Sequence, residues 1–261
     1  LIFFQPDLGT SLVLLVLTNV MLYWSQMPIE WILILVFCIF TCILYLTLPA
    51  LLIFWIPFTG YLAYRSSKKK IIASVFTISF HLLVAKLTPI LWQYGLKEYQ
   101  KDRLVLFLDP SRDPLGGGYH LLQSKIAIGS GGIFGTGLFQ GKLTNLQFIP
   151  EQHTDFIFSA LGEELGFLGC TMVLLLFFYL IKKLINIATS ARNDFESLIV
   201  IGISATLLFQ IIINLFMTIG LGPVTGIPLP FMSYGRTSLV INFISIGLVL
   251  SILKRSRSLR R

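Results

Sequence analysis

The stretch PEQHTDFIFSALGEELGFLGCTMVLLLFFYLI (150–181) joins a polar segment to an apolar run. A helix crosses the hydrocarbon core of a bilayer with about 20 mainly apolar residues, and 156–181 satisfies that length. The same stretch puts Glu151, Asp155, Glu163 and Glu164 at and just inside the start of the run. Acids inside a membrane usually face a polar cavity or a partner. The stretch therefore predicts a transmembrane helix with a cluster of acids at its mouth.

Similar apolar runs recur along the whole chain. Of its 261 residues 55% are hydrophobic and 12% are charged, whereas soluble domains have about 25% charged residues. We predict an all-α polytopic membrane bundle of about seven spans, forming one integral membrane domain over 1–261. Pro57 makes the third span a candidate for a kinked or re-entrant element. The predicted spans are 8–24, 30–48, 50–64, 71–94, 156–181, 197–220 and 237–253.

The positions of the positive charges indicate which ends of the spans face the cytoplasm. The net charge is +8, and basic clusters stand at the ends of apolar runs, in RSSKKK (65–70), in the 182–192 loop and in the tail KRSRSLRR (254–261). Such clusters mark the cytoplasmic side of a membrane, so we expect no nucleic-acid partner. The long loop 95–155 and the loop 221–236 are then predicted outside. The three cysteines lie inside apolar runs, which excludes a disulfide framework.

Asp155 has two compatible interpretations. An acid directly before an apolar run is a favourable helix N-cap, and a carboxylate at a membrane surface can also serve as a general base for a substrate hydroxyl. For Glu163 and Glu164, a structural ion pair and a catalytic role both stay open. Helical spacing places a stripe of small residues below Asp155, which permits close approach of another helix or a substrate chain. The stripe consists of Ser159, Gly162, Gly166 and Gly169.

Two outer-loop segments carry further candidates. The glycine-rich GSGGIFGTGLFQGK (129–142) lacks the strand context of a dinucleotide fingerprint, and we interpret it as a flap over a polar headgroup. Residues 118–128 alternate at helical spacing, like a short helix lying at the membrane interface. Lys125 and Lys142 are candidates for a diphosphate, with plain solvation as the alternative.

The second outer loop, GPVTGIPLPFMSYGRTS (222–238), contains three prolines that prevent a helix. Irregular backbone at this depth survives only where it lines protein or a watery cavity. Arg236 is a candidate partner for a carboxylate or a lipid phosphate, with snorkelling to the surface as the alternative. His81 is expected to be a packed histidine and Lys86 to snorkel, because neither shares a pattern with other metal ligands.

Four segments together resemble the SEDS family, whose RodA and FtsW members act in bacterial cell elongation and division. They are QPDLGTSLVLLVL (5–17), DPLGGGYHLLQSKIAIGSGGIFGTGL (113–138), PEQHTDFIFSALGEELGFLG (150–169) and GIPLPFMSYGRTSL (226–239). The resemblance implies a multi-span peptidoglycan glycosyltransferase that polymerises lipid II into glycan strands outside the membrane. It also implies a class B penicillin-binding protein, a transpeptidase, as partner.

The resemblance gives Asp155, in the HTDF motif, the role of catalytic base. It would deprotonate the acceptor sugar 4-hydroxyl for attack on the donor's anomeric carbon, with the lipid diphosphate as leaving group. No cofactor is evident, and assistance by a divalent cation, Mg²⁺ or Mn²⁺, stays open. The substrate-binding candidates are Glu151, His153, Thr154, Lys125, Gln123, Lys142, Arg236 and Glu164.

The sequence departs from the family pattern in three ways. The chain starts near the family's sixth span, so we expect the N-terminal third to be missing. The segment 30–94 holds three predicted spans where the family usually has one, and SYGR, with Arg236, stands where SYGG is usual. The last two features resemble cyanobacterial members, so we expect a bacterial plasma membrane or a plastid or cyanelle membrane.

Two other functions are consistent with the same resemblance. A lipid II flippase would need a polar path, for which Glu163, Glu164, His81 and Lys86 are the candidates. A scaffold that only recruits a transpeptidase would use the small-residue helix face. The sequence does not separate a role in elongation from one in division.

Overall fold

The computed structural model describes residues 8–67, 69–95, 97–108, 113, 117–146, 148–149 and 151–258. The first three residues of the QPDLG motif and the end of the basic tail lie outside this part. Ten α-helices and no strand occur in the described residues. They are α1 (Leu8–Trp24), α2 (Ile29–Thr47), α3 (Leu52–Ser66), α4 (Lys70–Ile90), α5 (Glu98–Leu108), α6 (Gly117–Ser130), α7 (Lys142–Asn145), α8 (Ile157–Thr189), α9 (Asp194–Ile219) and α10 (Arg236–Ser258).

Each of the seven predicted spans is a helix, which confirms the all-α polytopic membrane fold. In the described residues five helices are long and apolar enough to cross a bilayer, namely α2, α4, α8, α9 and α10, and α1 is a shorter apolar helix. The segment around Pro57 is also helical, but α3 has only 15 residues and follows a 3₁₀ turn at Pro49–Leu51. A π-helical turn, Leu91–Gly95, ends α4.

The chain divides into two compact units, and the prediction of a single domain over 1–261 stays a prediction. One unit comprises Asn19–Lys97, where α2, α3 and α4 pack together. Inside it His81 is fully buried, its Nδ1 lies 2.8 Å from Thr41 Oγ1, and Trp55 Nε1 donates to the same oxygen at 3.1 Å. His81 is therefore a packed histidine, as predicted.

The other unit comprises Leu1–Thr18 and Glu98–Arg261 and is built around the α8–α9 pair. An apolar cluster lies between these helices and the loop that follows α9. Because the loop contributes a buried leucine to this cluster, its proline-rich backbone is held against the bundle. The buried members are Phe158, Cys170, Phe177, Ile211 and Leu229.

The described residues of the segment 95–155 form three helices, α5, α6 and α7. The interfacial helix predicted at 118–128 corresponds to α6, but α6 packs against α8 and α9 inside the bundle. Leu121, Ser124 and Ala127 of α6 are almost fully buried. The alternating pattern that suggested an interface therefore marks a helix with one face in a protein core.

Helix α8 is broken at Gly166, whose backbone has φ 64° and ψ −162°. The glycine-rich segment 131–137 fills the break. Gly137 N donates to Glu164 O at 3.0 Å, and Phe167 N donates to Gly132 O at 2.9 Å. Broken backbone in a membrane bundle needs such partners. The segment is therefore bonded into the helix break, and the interpretation as a flap over a headgroup is wrong.

Candidate functional site

A cavity of about 250 Å³ lies at the end of the bundle where α8 begins. Its polar groups come from three parts of the chain: Arg103 from α5, His120 from α6, and Glu151 and Asp155 from the turn before α8. Apolar side chains and the loop after α9 complete the wall. They include Leu106, Phe107, Leu121, Phe156 and Val224.

The turn before α8 leaves the Asp155 side chain free for chemistry. Phe156 is the N-cap residue of α8, and no side chain caps that helix. The N-cap interpretation of Asp155 is therefore wrong. The turn is closed instead by the backbone, since Thr154 N and Phe156 N donate to Glu151 O at 3.1 and 3.3 Å. Thr154 Oγ1 also donates to Glu151 Oε2 at 3.0 Å.

Asn214 of α9 fixes the backbone of Asp155. Its Nδ2 donates to Asp155 O and to Ile227 O, each at 2.9 Å, and its side chain is fully buried. One amide group thus ties the turn before α8 to the loop after α9. Gly226 of that loop lies so close that a Cβ there would be 3.5 Å from Asp155 Oδ2.

The surroundings of Asp155 favour its protonated form. Burial raises the pKa of the Asp155 carboxyl above its usual range and the nearby Glu151 carboxylate raises it further, whereas Arg103 and His120 act in the opposite direction. Arg103 is held by a bond from Nη1 to Thr225 O at 3.3 Å. The His120 ring stacks on Phe156 with 6.2 Å between centroids.

This arrangement suits proton abstraction. A carboxylate with a raised pKa is a stronger base than an exposed one, and it accepts a proton from a hydroxyl placed within hydrogen-bond distance. Arg103 beside it supplies a fixed positive charge for an anionic substrate group. The cavity combines a base, a cation and apolar walls, which is the usual composition of a small-molecule site.

Four predicted site residues lie elsewhere around the start of α8. Thr154 contacts Glu151, as described above. His153 and Glu164 line a second cavity, of about 530 Å³, and His153 also lines a third, of about 710 Å³, together with Arg236. The predicted set therefore divides between two sides of the same turn, with Asp155 and Glu151 on one side and His153, Glu164 and Arg236 on the other.

Three further candidates, Lys125, Lys142 and Gln123, do not line any of these three cavities. The side chain of Lys125 packs against Gly220, at the C-terminal end of α9. Lys142 is exposed at the first position of α7. Their role in binding substrate stays a prediction.

Glu163 has a structural role that differs from both the ion pair and the catalytic role considered for it. Its side chain is 1% exposed and accepts hydrogen bonds from Leu143 N at 2.8 Å, Thr144 N at 2.9 Å and Thr144 Oγ1 at 2.6 Å. The carboxylate therefore satisfies the first backbone N–H groups of α7. The ion-pair interpretation is wrong for Glu163, because amide and hydroxyl donors take the place of a cation.

The small residues of α8 face α6. Ser159 Oγ lies 2.5 Å from Ser124 Oγ, and a Cβ on Gly162 would lie 3.2 Å from Ile128. The stripe ends at the break, so it does not continue to Gly169 as a straight helix would require. The small residues were predicted to permit close approach of a helix or a substrate. The helix that approaches them is α6, from the same chain.

Sequence reasoning missed Arg103, His120 and Asn214. His120 lies within 118–128, the segment that the sequence predicted to be a helix, and its place in that helix was the available signal. Arg103 and Asn214 gave no signal of their own, because each reaches the site from a distant part of the chain. Among the described residues, no group of three or more histidine, cysteine, aspartate or glutamate side chains forms a metal cluster.

Comparison with known proteins agrees with this architecture. The profile of the FtsW/RodA/SpoVE family of cell cycle proteins matches residues 50–258. The peptidoglycan glycosyltransferase MrdB of Escherichia coli K12 is 44% identical over 171 residues, 66% of this chain and 46% of the relative. RodA of Treponema pallidum, also named a peptidoglycan glycosyltransferase, is 36% identical over 279 residues, 97% of this chain and 64% of the relative.

Stage V sporulation protein E of Bacillus subtilis is 43% identical over 159 residues, 61% of this chain and 43% of the relative. A chain from a solved structure, described as structural coordination of polymerization and crosslinking by a peptidoglycan synthase complex, superposes with a TM-score of 0.54 and 30% identity. The superposition covers 92% of this chain and 60% of the chain from the solved structure.

This chain thus spans between 43% and 64% of the length of these three relatives. The cyanobacterial or plastid origin stays a prediction. The family profile covers most of the chain, from α3 to α10. The chain belongs to the FtsW/RodA/SpoVE family of cell cycle proteins.

Proposed function

We propose that this chain carries the catalytic site of a peptidoglycan glycosyltransferase that polymerises lipid II at the outer face of the membrane. The observation that carries the proposal is the cavity in which Asp155, with a raised pKa, lies near Arg103. Relatives named peptidoglycan glycosyltransferase support it.

The reaction joins two lipid-linked sugars. Asp155 takes the proton from the acceptor 4-hydroxyl, and the oxygen forms a bond to the donor's anomeric carbon. The bond between that carbon and the lipid diphosphate breaks, and the diphosphate leaves with the electron pair. Arg103 stabilises negative charge near Asp155, and Asn214 holds the backbone of the base in place.

Local contacts favour this reaction over the two alternatives. A flippase needs a polar path through the bilayer, but Glu163 is bonded to α7 and His81 to Thr41. A scaffold would present the small-residue face of α8 to a partner, but Ser159 and Gly162 already pack on α6.

A divalent cation, Mg²⁺ or Mn²⁺, is compatible with the cavity. Asp155 and Glu151 would supply carboxylate oxygens, which are the ligands that hard cations prefer, and the ion would help neutralise the diphosphate. The Glu151 carboxylate raises the pKa of the Asp155 carboxyl, and a cation bound by Asp155 would offset that effect.

The wider setting follows from the same relatives. We propose a bacterial plasma membrane as location and a class B penicillin-binding protein as partner, since the matching solved complex couples polymerization with crosslinking. Glu151 and Thr154 would contact substrate from the Asp155 side, and His153, Glu164 and Arg236 from the other side.

The direct test is polymerisation of purified lipid II by the full-length protein with its transpeptidase partner. Asp155→Asn keeps the shape of the side chain but removes the base, so we expect the rate to fall by about 100-fold or more. Asp102→Asn, an exposed carboxylate on α5, is the matched control and should polymerise normally. Normal polymer from the Asp155→Asn protein would refute the proposal.

A further inference from the structure

A groove beside the start of α8 is lined by residues other than those of the Asp155 cavity. The second and third cavities, about 530 and 710 Å³, share His153, Ile157 and Met232 and so adjoin each other. We call the two together the lateral groove. Asp155 does not line it, and the groove is thus separate from the candidate catalytic site.

One end of the lateral groove carries a positive charge without a carboxylate partner. Arg236 is exposed, and its Nε donates to Tyr234 Oη at 3.4 Å. Within the described part of the chain Arg236 makes no ion pair. His153 and Ser233 line the same end, whereas Glu164 lies at the other end of the groove. An anionic group is therefore favoured next to Arg236.

The charged end is held in shape by hydrogen bonds. Tyr234 N donates to His153 O at 2.7 Å, which ties the loop after α9 to the turn before α8. Leu229 N donates to Ser233 Oγ at 2.7 Å. Phe231, with a φ of 64°, packs edge-on against Phe243 of α10 at 5.7 Å. A largely preformed pocket binds a ligand at lower entropic cost.

The rest of the groove is apolar and borders the membrane-spanning helices. Ile157, Met232 and Leu239 line it beside Arg236, and Leu138 and Phe139 extend the wall with 60% and 82% of their surface exposed. A hydrocarbon chain gains free energy by covering such a surface.

A buried acceptor in the groove also lacks a donor. Gln152 lines the groove and is 8% exposed, and its Oε1 has no hydrogen-bond partner in the described residues. Buried polar atoms are normally paired. A hydroxyl on a bound headgroup would supply the missing donor.

We propose that the lateral groove binds a lipid phosphate, with the phosphate at Arg236 and the hydrocarbon chain along Ile157, Met232 and Leu239. Phosphate suits a guanidinium with free donors, and the apolar wall suits the chain. Two sources share this chemistry: a bulk phospholipid such as phosphatidylglycerol, and a polyprenyl phosphate of the kind that the proposed reaction uses. The site does not depend on the proposed function; only the choice of the second probe does.

Lipid binding to the full-length protein in detergent tests the proposal. The probes are phosphatidylglycerol, undecaprenyl phosphate, neutral undecaprenol and inorganic phosphate, titrated by native mass spectrometry. All proteins carry Asp155→Asn, so that turnover does not occur and failure of the proposed function leaves the result readable. The variants are Arg236→Gln, Arg236→Lys and, as a control, Lys182→Gln, which removes an exposed cation of α8 that lines none of the cavities.

We expect Arg236→Gln to weaken binding of at least one lipid phosphate by about tenfold or more, equivalent to about 1.4 kcal/mol. Arg236→Lys should keep most of the affinity, and Lys182→Gln should keep all of it. Tighter binding of undecaprenyl phosphate assigns the groove to the substrate lipid, and equal binding of phosphatidylglycerol assigns it to bulk lipid. Unchanged binding by the Arg236→Gln protein, or equally tight binding of undecaprenol or inorganic phosphate, would overturn the proposal.

Discussion

At the scale of single residues, the environment of Asp155 disfavours the ionised form of its carboxyl. Burial and Glu151 raise the pKa of its carboxyl. When the pKa of a carboxyl is higher in the folded than in the unfolded state, the folded state binds its proton more tightly. The free energy of unfolding therefore falls as the pH rises through the folded pKa. At neutral pH the ionised Asp155 therefore costs stability, so Asp155→Asn should melt no lower than wild type. Such a cost is typical of groups kept for chemistry.

Asn214 provides the sharpest test of how Asp155 is positioned. Asn214→Leu keeps the size of the side chain but leaves Asp155 O and Ile227 O without donors. At about 1–3 kcal/mol for each unpaired carbonyl, we expect a loss of stability of about 2–6 kcal/mol. Thermal unfolding in detergent measures it. Asn186→Leu, on the exposed face of α8, should leave the melting temperature unchanged. Equal effects of the two changes would contradict the positioning role.

The sequence identified Asp155 and Glu151 because both stand in one short motif at a span start. It did not identify Asn214, which is 59 residues from Asp155, or Arg103, which is 122 residues from its partner Thr225. Sites assembled across such distances depend on helix packing, and local periodicity does not contain that information.

At the scale of elements, the break in α8 anchors the glycine-rich segment 131–137. Gly166 adopts a backbone conformation that is open almost only to glycine. The Gly135 backbone approaches it so closely that a Cβ on Gly166 would collide with it. The apolar pattern of 156–181 predicted one continuous helix. Glycines are common in membrane helices, and a hydropathy pattern contains no information about the backbone angle φ of one residue.

The break leads to a prediction about glycine. Gly166→Ala should destabilise the protein by about 1–3 kcal/mol from the backbone conformation alone, with the collision adding to this, and thermal unfolding in detergent measures the loss. Gly129→Ala is the control, because α6 has open space at that position and alanine favours a helix. If the Gly166→Ala protein is as stable as the Gly129→Ala protein, the break is not a fixed feature of the fold.

At the scale of the whole molecule, composition predicted the fold class correctly because membrane spans are long and uniform. Length and hydropathy placed all seven helices to within a few residues, apart from α8, which continues to Thr189. The segment 30–94 holds three helices as predicted, and they form the core of the separate compact unit Asn19–Lys97. Of the helices in 95–155, α6 was predicted at 118–128, whereas α5 and α7 were missed because their surroundings are neither strongly apolar nor continuous.

The predicted orientation can be tested by labelling. In a protein whose three cysteines, Cys38, Cys42 and Cys170, are replaced by alanine, a membrane-impermeant maleimide added to intact cells should label Gln140→Cys but not Arg192→Cys. Both positions are exposed, so access depends on the side of the membrane. Labelling only at position 192 would reverse the topology and remove the site from the outer face.

Asp155 acts in this mechanism as a base whose pKa is raised by burial and by Glu151 and lowered by Arg103. The pH dependence of kcat/KM for lipid II polymerisation tests it most directly, because its acidic limb reports the essential base of the free enzyme. We predict a midpoint above the ordinary aspartate pKa of about 3.9, lowered by Glu151→Gln and raised by Arg103→Gln. An acidic limb that neither substitution moves would contradict the account.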